Sequence, residues 1–317
     1  MPDPARSPVR RLPVPPYPVA PGRPLSQLLT LAAGHACVAV LSLLRRAPSR
    51  VTETLLRPAL LLYPYLRPRH ASRLRACFAA SPFAGKLTLA GYYAVRLTLL
   101  LLGLKSHGRG AGNGLSALGA RETDPGPRVE GMQHYLAAME SDRPVALIGL
   151  HAGLFEELHR VPPPAPGKPF FILTAPAFSP PLTGFMARGR ERNGKRILWI
   201  GSKGPRGLKA GLRGAIAGKG VLALMADQHP GPSGDCEFLS LWGKVKAPYP
   251  GRLLRFLADR DFLFVPVSTR LEADGTSVFR YHAALQEPTP ESIRGFLEAA
   301  IAAAPDQWNW SYPKIRV

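Results

Sequence analysis

The stretch Val145-Ala146-Leu147-Ile148-Gly149-Leu150-His151-Ala152-Gly153-Leu154-Phe155-Glu156 decides the reading of this chain. Its first six residues are apolar without interruption and lie between Pro144 and His151. A strand buried on both faces of a parallel sheet requires such a run, because helices cover both sides of it. Working outward, further runs of the same kind occur at 170–174, 196–200, 221–225 and 262–267. Helical patterns separate them, among them 207–217 and 251–259, and residues 129–141 suit a helix ahead of the first strand. This alternation predicts an α/β fold, with a mostly parallel central sheet flanked by helices. In such folds the chemistry gathers at the carboxyl ends of strands. His151 and Asp227 each fall just past the end of a predicted strand.

A His and a Glu five residues apart on one continuous helix stand roughly 140° apart around its axis and do not meet. If instead His151 ends a strand, Gly153 permits a turn and Glu156 opens a helix, the carboxylate folds back onto the imidazole. Glu156 then accepts from one ring nitrogen and fixes the tautomer, and the other nitrogen takes a proton from a substrate hydroxyl. This is the base and orienting acid of a serine-protease triad, with the nucleophile supplied by the substrate. Glu157 is the neighbouring alternative for the orienting acid. Backbone amides near Gly153, or at the start of the following helix, are candidates to hold an oxyanion.

Upstream of this part the texture is different. Residues 1–24 are dense in proline, with Arg6, Arg10, Arg11 and Arg23 among them, and read as a disordered basic arm. The arm lacks the apolar core and small-residue cleavage site of a signal peptide. Residues 25–44 carry no formal charge and match a bilayer span in length, and Arg45, Arg46 and Arg50 follow directly. A spanning helix, a helix lying in the interface and an ordinary buried helix all remain open for this stretch. Residues 55–66 are apolar but broken by Arg57, Pro58 and Pro64, and residues 87–104 hold Arg96 near their centre. The latter suits an amphipathic helix lying on a membrane or packed beneath it. A Gly- and Ser-rich linker leads to Asp124-Pro125-Gly126-Pro127. The expected organisation is therefore a basic arm over 1–24, a helical membrane-associated region and linker over 25–128, and an enzymatic domain over 129–317.

Charge narrows the partners. Lys plus Arg number 41 against 21 Asp plus Glu, a net charge of +20, which calls for an anionic partner such as a membrane surface, a phosphorylated lipid, an acidic carrier protein or nucleic acid. The run Lys195, Arg196, Lys203, Arg206, Lys209 and Arg213 suits lipid phosphates or an acidic acyl carrier protein, and equally a solvated face. Cys37, Cys77 and Cys236 are odd in number and lack CxxC spacing, which argues against a disulfide framework or zinc site and for a cytoplasmic setting.

Several motifs then fall in order: His151 to Glu156; Ala226-Asp227-Gln228; Phe238-Leu239-Ser240-Leu241-Trp242-Gly243, with Pro248 and Gly251 after it; Val265-Pro266-Val267; and Pro305-Asp306-Gln307-Trp308-Asn309-Trp310 followed by Lys314 to Arg316. Together they resemble the lauroyl/myristoyl acyltransferases of lipid A biosynthesis, within the wider lysophospholipid acyltransferase superfamily. The likeness spans roughly residues 130–317, although the residues between the His and the Glu depart from the family's usual ones. What it implies is transfer of a fatty acyl group from an acyl carrier protein or coenzyme A thioester to a hydroxyl of a lipid A-like acceptor, at the cytoplasmic side of an inner membrane. His151 and Glu156 match the family's catalytic pair. Arg190, in preference to Arg188, matches with Asp227 residues that build the site or position the acceptor, and Gly153, Arg188, Gln228 and Lys203 are expected to touch substrate. Asp227 also has a plainer reading as a cap or loop carboxylate, and Trp308 and Trp310 as core residues or interface anchors. The donor is a co-substrate, so no metal or bound organic cofactor is expected.

Other readings compete. A lysophospholipid, glycolipid or amino-lipid acceptor uses the same catalytic residues. A nucleic-acid-binding protein is suggested by charge alone, without interleaved aromatics or a docking helix. A metal hydrolase built on His151, Glu156 and His159 lacks the common zinc spacings.

Overall fold

Five parallel strands pack side by side because each is apolar on both faces, and helices cover both faces. The computed structural model describes residues 67–106, 127–160, 168–175, 180–191, 195–200, 204–228 and 236–317, with isolated positions before them. The strands are β1 (Arg128–Glu130), β2 (Val145–Gly149), β3 (Phe170–Thr174), β4 (Arg196–Trp199), β5 (Val221–Met225), β6 (Glu237–Leu241), β7 (Val245–Tyr249), β8 (Leu263–Leu271) and β9 (Ser277–Tyr281). Seven of them form one sheet in the order β1-β9-β8-β2-β5-β3-β4, and β6 and β7 form a separate antiparallel hairpin. β8, β2, β5, β3 and β4 run parallel; β9 returns antiparallel to β8, and β1 lies parallel to β9. Every residue of β2 is buried, as its unbroken apolar run requires.

The described helices are α1 (Pro68–Ala80), α2 (Leu89–Ser106), α3 (Met132–Glu140), α4 (Pro180–Glu191), α5 (Gly204–Ala217), α6 (Gly251–Ala258) and α7 (Pro290–Ala303). One face of the sheet packs Ile148, Leu222 and Phe264 against Leu212 of α5, Leu254 and Leu257 of α6, and Leu297 of α7. The opposite face packs Val145, Leu147, Val265 and Val267 against Tyr135, Ala138 and Met139 of α3.

One expectation changes here. Residues 129–141 do not form one helix: 128–130 are a strand, and the turn into α3 is made at Gly131, with φ 68°. A side chain there would meet the Tyr281 carbonyl oxygen, so strand and helix are divided at a position only glycine fills. Helices from before residue 128 also pack with later elements. Leu74, Cys77 and Phe78 of α1 and Tyr92 and Tyr93 of α2 belong to the same core as Trp308 and Trp310. The arm at 1–24, the stretches 25–44 and 55–66 but for isolated positions, and most of the linker lie outside the described residues. No helix among the described residues is long and apolar enough to cross a membrane. α2 turns Tyr92, Tyr93, Leu97 and Leu99 into the interior and leaves Leu100 exposed.

Candidate active site

β2 and β5 are parallel neighbours with Gly149 opposite Met225, so residues two further along each strand emerge side by side. Those residues are His151 and Asp227. The ladder continues one step past the strands, where the Ala226 amide donates to the Gly149 carbonyl at 2.8 Å. Beyond it the Asp227 carboxylate meets His151 twice. Oδ1 accepts from the ring Nδ1 at 2.8 Å, and Oδ2 accepts from the His151 backbone N–H at 2.9 Å. Oδ2 takes a further bond from the Trp308 indole Nε1 at 2.8 Å.

Asp227 is 1% exposed and the His151 side chain 17%. Burial works to raise the Asp227 carboxyl. The charge of the imidazole, the ring and backbone N–H groups of His151 and the Trp308 indole outweigh it and hold Asp227 below the usual aspartate range. An ionised carboxylate only accepts, so Nδ1 carries a proton and Nε2 is the ring nitrogen left to face the cavity side. The Phe155 ring packs edge-on against the imidazole, with centroids 4.7 Å apart.

The carboxylate on Nδ1 is thus Asp227, where the local spacing favours Glu156. After the turn the chain enters a 3-10 helix, Phe155–Arg160, whose second residue is Glu156. Glu156 lies on the wall of the cavity that His151 also lines, while the place on Nδ1 is held from the neighbouring strand. Gly153 does make the turn, at φ 53°, and a Cβ there would come within 2.5 Å of the Thr269 carbonyl oxygen. Thr269 also donates to the Ala152 carbonyl, Oγ1 to O 2.6 Å, which fastens the turn to β8. The amide of Ala152 is engaged with the Leu150 carbonyl and that of His151 with Asp227.

A cavity of about 410 Å³ opens at the strand ends, within the size range of small-molecule sites. One wall runs down the sheet along Gly149 and Leu147 of β2, Met225 and Ala223 of β5, and Ile172 and Phe170 of β3. Small residues at 149 and 223 open this furrow between larger neighbours. Pro250, Leu253 and Ile200 line the cavity as well, and His151, Glu156, Gln228, Thr174 and Tyr312 give it its polar groups.

Of the other residues expected from the sequence, Gln228 follows Asp227 directly. Arg188 is exposed on α4. Arg190 lies two residues further along the same helix, its side chain outside the described residues, and Lys203 is outside them altogether. Among the described residues, no group of three or more His, Cys, Asp or Glu is placed to hold a metal ion.

Three residues that hold the site belong to the 305–310 motif, which the sequence singles out without placing it beside His151 and Asp227. Gln307 pairs with both the amide and the carbonyl of Leu271, Trp308 holds Asp227, and the Asn309 amide donates to the His151 carbonyl at 2.9 Å. Trp308 and Trp310 are fully buried, which decides between core and interface anchor in favour of the core. No family model matches the chain, and no curated protein matches it in sequence.

Proposed function

We propose that the protein transfers a fatty acyl group from an acyl thioester to a hydroxyl of a lipid acceptor, with His151 as general base and Asp227 as the group that orients it. The observation that carries this reading is the His151–Asp227 pair, its Nδ1 fixed by a buried carboxylate, at the mouth of a mainly apolar cavity.

In the proposed reaction the acceptor hydroxyl gives its proton to Nε2 as its oxygen attacks the thioester carbonyl. The imidazolium that forms is stabilised by Asp227, which stays ionised. The tetrahedral oxyanion collapses, the carbon–sulfur bond breaks, and the departing thiolate takes the proton back from Nε2. Since the His151 and Ala152 amides are engaged, the oxyanion donors belong to the residues after them, from Gly153 into the start of the 3-10 helix. Among the described residues no Ser or Cys lines the cavity, and the Thr174 hydroxyl there donates to the Ala175 carbonyl, which favours a nucleophile that arrives with the substrate. The furrow over β2, β5 and β3 suits the acyl chain.

The acceptor we favour is lipid A-like, at the cytoplasmic face of an inner membrane, because the ordered motifs resemble the lipid A lauroyl/myristoyl acyltransferases. A lysophospholipid, glycolipid or amino-lipid fits the same geometry. The donor thioester is carried on acyl carrier protein or coenzyme A. Arg188 or Arg190, with Lys203, are proposed to meet the anionic groups of these substrates, and Gln228 and Glu156 the reacting end of the acceptor.

Purified protein incubated with a radiolabelled acyl thioester and a total lipid extract tests the reading. Label is expected in a lipid ester with the wild type and not with His151→Ala. Label found only in free fatty acid would make the protein a thioesterase, with water as the nucleophile.

A further inference from the structure

We propose that Trp308 is a positioning residue, whose indole N–H fixes the rotation of the Asp227 carboxylate and through it the tautomer of His151. Three consecutive residues of one segment grip three parts of the site. Gln307 is pinned to the end of β8 by two bonds of 2.7 Å, from the Leu271 amide and to the Leu271 carbonyl. Trp308 donates to Asp227 Oδ2 at 2.8 Å, and the Asn309 amide donates to the His151 carbonyl at 2.9 Å. The imidazole residue is therefore held at its carbonyl by the same segment that holds its carboxylate partner.

The segment is itself fastened from the far side. Arg73 of α1 donates to the carbonyls of Ser311 and Tyr312 at 2.9 and 2.7 Å, and the Ser311 amide donates to the Tyr92 hydroxyl at 3.1 Å. Trp308 is fully buried and meets Trp310 edge to face at 4.6 Å. Trp310 sends its own N–H to the Pro305 carbonyl, at 2.7 Å, and not to the catalytic pair. These two tryptophans thus share burial and packing and differ in what the indole N–H holds.

Without Trp308 the carboxylate keeps its two bonds from His151, one on each oxygen, and loses the one donor that comes from outside the histidine, so the pair turns more readily out of alignment. Three donors across two oxygens leave one orientation. This proposal rests on the reading of His151 as a base for its consequence in catalysis, but its test does not need turnover.

Histidine ring resonances of the full chain, recorded by nitrogen-correlated NMR, give both the tautomer and the exchange rate of Nδ1–H with water. The wild type is expected to show His151 in the single Nδ1–H tautomer with slow exchange. Trp308→Phe is expected to mix the tautomers and to exchange at least about tenfold faster. Trp310→Phe removes an indole of the same size and is expected to leave both readouts unchanged. An unaltered tautomer and exchange rate in folded Trp308→Phe overturns the proposal, as does an equal change in Trp310→Phe, which would make the effect one of packing. Should Trp308→Phe fail to fold, benzothienylalanine at 308 keeps the indole shape with sulfur in place of N–H, and the same criteria apply. Absence of acyl transfer by the wild type would remove the function reading alone, since the NMR result stands without it.

Discussion

Asp227 meets His151 through both carboxylate oxygens, and substitution separates the consequences. Asp227→Asn keeps the shape, but an amide nitrogen facing Nδ1 selects the wrong tautomer. The turnover rate is expected to fall by about 10³–10⁴, as for the analogous change in a Ser-His-Asp triad. Glu156→Gln leaves the partner of Nδ1 in place, and steady-state kinetics should show a loss of no more than about tenfold. The reverse order would return the orienting role to Glu156. Acid stability gives an independent reading. The folded state holds Asp227 below its unfolded value, so the stabilisation is complete above the unfolded value of about 3.9 and is lost as pH falls through the folded one. Urea unfolding midpoints of the wild type should therefore drop more steeply below about pH 4 than those of Asp227→Asn. His151 was legible in the sequence because it ends an unbroken apolar run. Asp227 was legible in the same way, as a residue just past a strand end, but not as the partner of the ring: it is 76 residues away and reaches His151 only because β5 lies beside β2. Local spacing offered Glu156, the nearer carboxylate.

Gly149 lies opposite Met225, and Ala223 lies between Leu147 of β2 and Ile172 of β3, and the two small residues at 149 and 223 make the furrow. A Cβ at Gly149 would come within 2.9 Å of the Met225 sulfur and 3.3 Å of a Leu158 methyl, both ends of flexible side chains. The element therefore accommodates a larger residue by giving up cavity space. Gly149→Val is expected to cut the preference for longer over shorter acyl donors by about tenfold or more, measured as a ratio of kcat/KM values. An unchanged ratio would place the acyl chain elsewhere. The strands that form this furrow were read with their correct cores because helices bury both faces, which leaves a continuous apolar signal. Elements paired at a distance or exposed on one side gave none. β1 has three residues and pairs with β9, and the β6–β7 hairpin turns at Trp242 and Gly243, both at positive φ, where a tryptophan carries no turn signature.

Across the whole molecule the surplus of +20 charges is the largest unassigned feature. If it serves a membrane surface, the protein should sediment with anionic vesicles at about 0.1 M salt and come off near 1 M, where the screening length falls from about 10 to 3 Å. Retention on neutral vesicles at high salt would show apolar insertion in its place. The sequence reading separated a membrane-associated half from an enzymatic one by composition. Composition does not report packing, and α1 and α2 share the core with the segment that grips the active site. The proposed chemistry at this site ends in a lipid product. Mass spectrometry of total lipid from the source organism, with the gene intact, deleted or changed to His151→Ala at matched protein level, tests it most directly. The account predicts a lipid heavier by one acyl chain with the intact gene and its loss in both other strains. Identical lipid profiles in all three strains would contradict it.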